Sequence, residues 1–291
     1  MPDLPGREAY LRRLGFDEPP EPTLATLQVL HERHLAQIPY ENLGIMLGRP
    51  PSVAPQDSVA RVAALGRLGY CFHQNGAAAL LLESLGYAVE RRHGHVGTTP
   101  GLPATPPAEQ VSSLNHLVLV VRVSGEAGRW WFDVGLGDGF ARPLRLTDGV
   151  VRDDAGFSYS IEGLGESGWT FRHDLSGSFA GLVVSDRPSD DAAVELAHQH
   201  LSTSPTSSFT QLLVVQRREA EQVVTLRGCL LSRVRTTGRR EQELVTFEEW
   251  RSALTDVVGL PVSDVPATEL RGLFARMLEA HRAWVGSGRR G

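Results

Sequence analysis

The residue pattern of this chain changes at Gly86 from helical to extended, and the change limits the folds open to it. Before Gly86, leucines at an approximately helical spacing follow Thr23, a possible N-cap, until Pro39 interrupts them. The segment AAALLLESL after Gly76 is apolar almost all round, which predicts a buried helix that ends at Gly86. The first part of the chain is therefore expected to be helical.

Strand patterns follow. The segments HLVLVVRV at 116–123 and RWWFDVGLG at 129–137 have strand length, and the turn-like SGEAG separates them. They predict an antiparallel hairpin in a small sheet or barrel. Beyond residue 190 the pattern predicts a short helix, three strands and two closing helices. Thr246, followed three residues later by Glu249, indicates a capping box at the first of those closing helices.

Composition excludes several classes of protein. With 291 residues and 41% hydrophobic residues the chain can bury a core without disulfides, so Cys71 and Cys229 are expected to be reduced. We find no signal peptide pattern and no apolar segment long enough to span a bilayer, which predicts a cytoplasmic protein. The net charge of −5, with interspersed signs, predicts neither nucleic acid nor a membrane as a partner.

Three further patterns predict a long loop and argue against nucleotide and metal sites. The Pro- and Thr-rich segment at 97–113 predicts a long loop. The sequence GLGDG at 135–139 resembles a dinucleotide loop, but Pro143 follows where the phosphate-binding helix should begin, so nucleotide binding is rejected. Two His-x-His pairs, at 93–95 and 198–200, lack the further ligands of a metal site, and no metal is expected.

Cys71, in GRLGYCFHQNG, is a candidate nucleophile. Cysteine reacts as its thiolate, which a helix N-terminus and a neighbouring histidine both stabilise. Cys71 is predicted to lie near the start of the buried helix, and Gly69 permits a tight turn into it. The alternative is that Cys71 is a small buried hydrophobic residue, the commoner fate of a lone cysteine.

His116 and Asp133 are candidate partners of that cysteine. Each is polar within an apolar strand, where burial without a partner is costly, and neighbouring strands of a hairpin can bring them together. A carboxylate that orients a histidine facing a cysteine is an arrangement for acyl transfer. A satisfied His-Asp pair in the core, with no role for Cys71, explains the spacing equally well.

Four motifs resolve this ambiguity by resemblance. The segments IPYENLGIMLGR, RLGYCFHQN, LNHLVLVV and WFDVGLGDGF occur in the order and spacing typical of the arylamine N-acetyltransferases. The resemblance covers most of the chain. It implies an α+β fold with a papain- or transglutaminase-like Cys-His-Asp core. The expected domains are a helical domain at 1–86, a β-barrel at 87–190 and an α/β lid at 191–291.

The same resemblance implies roles for particular residues. Cys71 would be the nucleophile, His116 its base and Asp133 the carboxylate that orients the base. The substrate-binding residues would be Phe72, Leu136, Asp138 and Phe140. The residues supporting the site would be Glu41 and Arg67, as a buried ion pair, together with Asn75.

The reaction implied is ping-pong, with no permanently bound cofactor. Cys71 would take an acyl group from acetyl-CoA or another acyl thioester and pass it to a small-molecule amine or hydrazine. The chain departs from the family pattern at Leu68, where a glycine is usual, and at His73, where glutamate is usual. An acid at 138 is also unusual for a pocket that takes plain aromatic amines. These departures leave alternatives open: an amide synthase that takes its acyl chain from an acyl carrier protein, a cysteine hydrolase, or an inactive binding protein.

Overall fold

The computed structural model describes residues 4–97 and 114–288. The N-terminal part is helical, and a single two-residue strand interrupts it. Its elements are α1 Arg7–Arg13, α2 Leu24–Gln37, β1 Tyr40–Glu41, α3 Leu43–Met46, α4 Pro55–Leu65 and α5 Cys71–Leu85.

Local signals position these helices as the sequence predicts. The Thr23 side chain accepts a hydrogen bond from the Thr26 N–H and caps α2, and Gly86 ends α5 in the left-handed conformation, with φ 101°. Helix α5 is buried all round except at Leu80 and Glu83, as its apolar sequence predicts. It therefore forms the centre of the N-terminal core.

The middle of the chain forms an antiparallel sheet of eight strands that is nearly closed into a barrel, with the strand order β5-β4-β3-β2-β9-β8-β7-β6. The strands are β2 Ala88–Gly97, β3 His116–Arg122, β4 Trp130–Phe132, β5 Leu144–Arg145, β6 Gly149–Arg152, β7 Ser158–Gly165, β8 Gly168–Arg172 and β9 Gly181–Pro188. The predicted hairpin is confirmed, because β3 and β4 pair antiparallel with Leu119 opposite Phe132.

Strand β3 lies between two cores, which explains its uninterrupted apolar sequence. Leu117, Leu119 and Val121 contact the core around α5, whereas Val118 and Val120 contact the core inside the barrel. A strand buried on both faces has no solvent-facing position, so hydrophobic and polar residues do not alternate along it.

The C-terminal part contains helices around a second antiparallel sheet, with the order β1-β10-β11-β12-β13. Its elements are α6 Asp191–Thr203, α7 Ser208–Gln211, β10 Val214–Arg218, β11 Val223–Arg227, β12 Leu230–Arg235, β13 Gly238–Glu243, α8 Phe247–Ser252 and α9 Ala267–Gly286. A π-helical segment, Ala253–Val257, continues α8. The capping box of Thr246 and Glu249 is confirmed at the start of α8.

The α+β class and the barrel are thus confirmed, but only β3 and β4 of the barrel were predicted as individual strands, and β1 and β13 of the second sheet were missed. Strand β1 pairs with β10 across the chain, and the fully exposed β13 has no apolar alternation by which to recognise it. The predicted domain boundaries at 86/87 and 190/191 stay predictions. The predicted loop at 97–113 lies, apart from Gly97, outside the described residues. Within the ranges described, no helix combines the length and the apolar character needed to cross a membrane.

Candidate active site

Cys71 is the first residue of α5, as the sequence predicts. The preceding turn depends on Gly69, whose φ of 139° disfavours other residues. A Cβ atom there would also lie 2.6 Å from Nδ1 of His73. The turn thus delivers Cys71 to the helix N-terminus, where the helix dipole favours negative charge on its sulfur.

His116 and Asp133 meet beside Cys71. His116 begins β3, Asp133 directly follows β4, and the pairing of these strands brings the two side chains together. His116 Nε2 donates a hydrogen bond to Asp133 Oδ2 at 2.8 Å, and the imidazole also hydrogen-bonds the Cys71 side chain. The thiol is 3.7 Å from the carbonyl oxygen of Asn115, a weak acceptor contact. The structure therefore brings the three residues of the predicted triad together.

Four donors hold the Asp133 carboxylate in one orientation. Oδ2 accepts from His116 and, at 3.0 Å, from Trp131 Nε1. Oδ1 accepts from Asn75 Nδ2 at 2.7 Å and from the Gly135 N–H at 3.0 Å. With every side of the carboxylate occupied, its direction toward the imidazole is fixed before a substrate arrives.

Asn75 joins the helix to the hairpin, and the geometry agrees with its predicted supporting role. Its Nδ2 also donates to the carbonyl oxygen of Leu117 at 2.6 Å, and its Oδ1 accepts from the Val134 N–H at 3.0 Å. Asn75 lies one helical turn beyond Cys71, so the same turn of α5 carries the thiol and holds the loop that bears Asp133.

The surroundings of His116 favour its positively charged form. Burial alone lowers the pKa of this imidazole, but the nearby Asp133 carboxylate, the hydrogen bond to it and the interaction with Cys71 outweigh burial and raise the pKa to about 10. At neutral pH His116 is therefore an imidazolium next to the sulfur. Such a pair suits a cysteine that must react as its thiolate.

His31 is a further residue of the site, and the sequence did not predict it. On α2, its Nε2 lies 3.0 Å from the carbonyl oxygen of Asp133, and its Nδ1 lies 3.0 Å from that of Ala141. Burial lowers the pKa of His31 to about 4, so it stays neutral while it positions the main chain around Asp133. Its place on the apolar stripe of α2, next to Leu27 and Leu30, was the available signal.

The predicted Glu41–Arg67 ion pair is present between two buried side chains, but it is long. Arg67 Nε is 4.0 Å from Glu41 Oε1, and neither of these atoms has a hydrogen-bond partner in the part of the chain described. The Arg67 guanidinium also forms a closer, bidentate pair with Asp264, at 2.5 and 2.7 Å, which the sequence did not predict. The hydrogen bond lowers the pKa of the Asp264 carboxyl. Glu41 supports the nucleophile turn through its main chain, because its N–H donates to the Gly69 carbonyl oxygen at 3.0 Å.

Asp138 is not the free acid that its position suggested. Its Oδ2 accepts from the Ser178 N–H at 2.6 Å, and its Oδ1 accepts from the Ser178 hydroxyl at 2.9 Å. A barrel loop therefore holds the carboxylate, and the role of Asp138 in substrate binding stays a prediction.

The three apolar residues predicted to bind substrate lie in hydrophobic cores. Leu136 and Phe140 belong to the barrel core, and Phe140 stacks on His31. Phe72 belongs to the core around α5 and lines a cavity of about 250 Å³ together with Leu117. Their roles in substrate binding stay predictions.

The two departures from the family pattern are both fully buried. Leu68 packs in the core around α5. His73 lies beside Tyr70 and His198, with ring centroids 5.2 and 5.4 Å away. The Tyr70 hydroxyl donates to His198 Nδ1 at 2.6 Å, so α6 contacts the residue that precedes the thiol.

A cysteine at a buried helix N-terminus, next to a charged histidine and an oriented carboxylate, defines a class of proteins with cysteine-based acyl chemistry. The family model for N-acetyltransferases matches residues 23–266. The arylamine N-acetyltransferase of Mycolicibacterium smegmatis is 30% identical over 276 residues, which are 93% of this chain and 97% of that protein. The chain belongs to the arylamine N-acetyltransferase family.

Solved structures agree with this assignment. A crystal structure of a variant of the Mycobacterium smegmatis enzyme superimposes with a TM-score of 0.83 at 28% identity, covering 96% of this chain and 100% of that one. The arylamine N-acetyltransferase of Mycobacterium marinum in complex with CoA superimposes with a TM-score of 0.81 at 28% identity, covering 95% and 99%. The fold is therefore shared along nearly the whole chain.

Proposed function

We propose that this protein transfers an acetyl group from acetyl-CoA to a small arylamine or related amine, through a thioester on Cys71. The observation that carries the proposal is the chain of contacts from Cys71 through His116 to Asp133, in a member of a family whose named relatives are arylamine N-acetyltransferases. The complex of the M. marinum relative with CoA supports coenzyme A as the carrier of the acetyl group.

In the first half-reaction, His116 holds the proton of the thiol and the Cys71 sulfur attacks the thioester carbonyl carbon. As the tetrahedral intermediate collapses, the bond from that carbon to Cys71 remains and its bond to the CoA sulfur breaks. His116 gives its proton to the departing CoA thiolate, so free CoA leaves and the neutral imidazole remains. Asp133 keeps the imidazole in the required tautomer and orientation throughout.

In the second half-reaction, the amine nitrogen attacks the acetyl carbon on Cys71. The C–N bond forms, the bond to the Cys71 sulfur breaks, and the neutral His116 takes the proton that the amine loses. The amide is released, and the proton now held by His116 restores the state in which the first half-reaction began. The thioester exchange is nearly balanced in energy, whereas formation of the amide drives the sequence forward.

The comparisons do not favour the alternatives that the sequence left open. The relatives named above are acetyltransferases, and a carrier protein as acyl donor, a hydrolase activity or an inactive binding role has no support among them. A small-molecule amine acceptor and a CoA donor fit the family. We also propose the cytoplasm as the location, since the two cysteines are free, as expected in a reducing compartment.

The direct test is intact-mass measurement after incubation with acetyl-CoA and no amine. We expect the protein to gain the mass of one acetyl group and to lose it when an arylamine is added. Cys71→Ala should show no gain, whereas the matched control Cys229→Ala should behave as the wild type, because Cys229 lies in the C-terminal core.

Two results would contradict the proposal. One is acetylation that persists in Cys71→Ala. The other is loss of the acetyl group at the same rate with and without amine, which would indicate hydrolysis.

A further inference from the structure

A second pocket, of about 510 Å³, lies in the C-terminal part of the chain, and we name it the α9 pocket. Its volume falls within the range of small-molecule sites. The residues that line it come from helix α9 and from the second sheet and its turns: Leu212, Arg227, Gly228, Cys229, Leu230, Arg239, Glu241, Met277, Ala280, His281 and Trp284. None of them belongs to α5, β3 or β4, which carry the Cys71 site.

Two regular faces build this pocket. On the helix, Met277, Ala280, His281 and Trp284 are spaced three or four residues apart, so they form one stripe of α9. On the sheet, the register places Arg227 opposite Leu230 and Leu230 opposite Glu243, and it puts the side chains of Arg239 and Glu241 on that same face. Rigid secondary structure thus shapes both walls.

His281 has an unused hydrogen-bonding atom in this pocket. Its side chain is 9% exposed, and within the described ranges its Nε2 has no hydrogen-bond partner. The nearest carboxylate oxygen, Glu243 Oε2, is 3.6 Å away, beyond hydrogen-bond distance. A buried polar atom without a partner is costly, and a polar group on a ligand would relieve that cost.

The remaining walls combine an apolar surface with positive charge. Trp284, at 39% exposure, offers the exposed apolar surface, and Met277, which is only 2% exposed, also lines the pocket. At the edge, Arg227 is exposed and has no ion pair among the residues described, whereas Arg239 is already paired with Glu241 at 2.7 Å. Arg227 is therefore the cation available to an anionic ligand.

Cys229 lines the pocket as an uncharged thiol, and we do not expect it to act as a nucleophile. Burial raises the pKa of its thiol to about 11, against a smaller opposing effect of Arg282. The thiol therefore stays protonated at neutral pH, and its polarizable sulfur suits contact with an aromatic ring.

We propose that the α9 pocket binds a small aromatic carboxylate whose ring carries one hydrogen-bonding substituent. The ring packs between Trp284 and Met277, the carboxylate pairs with Arg227, and the substituent hydrogen-bonds His281 Nε2. A ring nitrogen of histidine donates or accepts a hydrogen bond, and a hydroxyl group on the ligand can be the partner in either case. This site is separate from the acetyl-transfer site and does not depend on its chemistry.

Isothermal titration calorimetry of the whole protein with 4-hydroxybenzoate tests this proposal. We expect saturable binding at one site, weakened about tenfold or more by Arg227→Gln, since a charged hydrogen bond is lost. Trp284→Leu and His281→Leu should also weaken binding, and the neutral 4-hydroxybenzamide should bind less well than the acid. The matched control is Arg240→Gln, because Arg240 is exposed on the opposite face of β13. It should bind as the wild type does.

Either of two outcomes would overturn the proposal. One is the absence of saturable binding to the wild type at millimolar concentrations. The other is unchanged affinity in Arg227→Gln and Trp284→Leu, each shown by its melting curve to be folded, which would place the ligand elsewhere on the protein. Arg227 and Trp284 are both exposed, so we expect both variants to fold.

Discussion

The two buried histidines on either side of the nucleophile, His116 and His73, take opposite charge states. Their exposures are 2% and 0%. His116 donates to the Asp133 carboxylate, and its pKa rises to about 10. His73 Nε2 donates to the carbonyl oxygen of Pro51, at 3.2 Å, and burial lowers the pKa of His73 to about 3.

The difference shows that burial alone does not set the charge of a histidine in this protein. A carboxylate within hydrogen-bond distance outweighs desolvation at His116, whereas a carbonyl dipole does not at His73. The α5 N-terminus therefore has an ionised side at His116, where the proposed chemistry takes place, and a neutral side at His73, where the ring is packed among other rings.

Asp133→Asn tests the ionised side and is the variant with the largest expected effect on activity. With its NH2 group in the place of Oδ2, the amide would offer a donor to His116 Nε2 and Trp131 Nε1, which are themselves donors and would lose their acceptor. Acetyl transfer should fall on the order of a thousandfold to ten-thousandfold, as the imidazole loses its charge and its orientation. Steady-state turnover of acetyl-CoA with an arylamine measures the loss.

Asp174→Asn is the control for this variant. Asp174 also accepts several hydrogen bonds, from Ser158 and Ser176, but it does so in a barrel loop. Its variant should keep nearly full turnover. If Asp133→Asn, folded by its melting curve, stays within about tenfold of the wild type, the ionised side is not the catalytic one.

The second test compares the pH dependence of stability on the two sides. The folded pKa of His116 lies above the ordinary value of 6.5, so its contribution is complete below pH 6.5 and is lost as pH rises to about 10. The folded pKa of His73 lies below 6.5, so the contribution of the neutral ring is present above pH 6.5 and is lost as pH falls toward 3.

Urea unfolding of the wild type, His116→Gln and His73→Gln at several pH values measures both contributions. The difference in free energy of unfolding between the wild type and His116→Gln should become smaller as pH rises from 6.5. The difference between the wild type and His73→Gln should become smaller as pH falls from 6.5. Two differences that change in the same direction with pH would show that the charge states are not opposite.

Residues close in the sequence made Cys71, His116 and Asp133 candidates, and the resemblance to the acetyltransferases assigned them to one site. Cys71 follows a glycine turn and precedes an apolar helix, and His116 and Asp133 are polar residues in two strands that a short turn joins. A polar residue in an apolar strand indicates a buried partner, and hairpin pairing indicates where that partner lies. These signals operate over a few residues or across one turn.

The contacts that the sequence did not predict join distant parts of the chain. Arg67 and Asp264 are 197 positions apart, and Asp138 and Ser178 are 40 apart. Nothing in a local pattern indicates which carboxylate an arginine will meet after folding. Strand β1 is likewise recognisable only through its partner β10, because two residues show no periodicity.

The smallest test concerns the hydrogen bond on the neutral side. Tyr70→Phe removes the hydroxyl that donates to His198 Nδ1 at 2.6 Å and leaves that buried nitrogen without its partner. We expect the free energy of unfolding to fall by about 1 to 3 kcal/mol, the usual cost of an unsatisfied buried group. Turnover should change less than in Asp133→Asn, because no charge is lost.

Tyr159→Phe is a suitable control for Tyr70→Phe, because the Tyr159 hydroxyl is 3.5 Å from Asp153, at the limit of a hydrogen bond. It should lose less stability in the same urea titration. If Tyr70→Phe instead abolishes acetyl transfer while it stays folded, the contact between α6 and the nucleophile turn positions the thiol. The neutral side would then share in the chemistry, and the contrast between the two histidines would be one of charge but not of function.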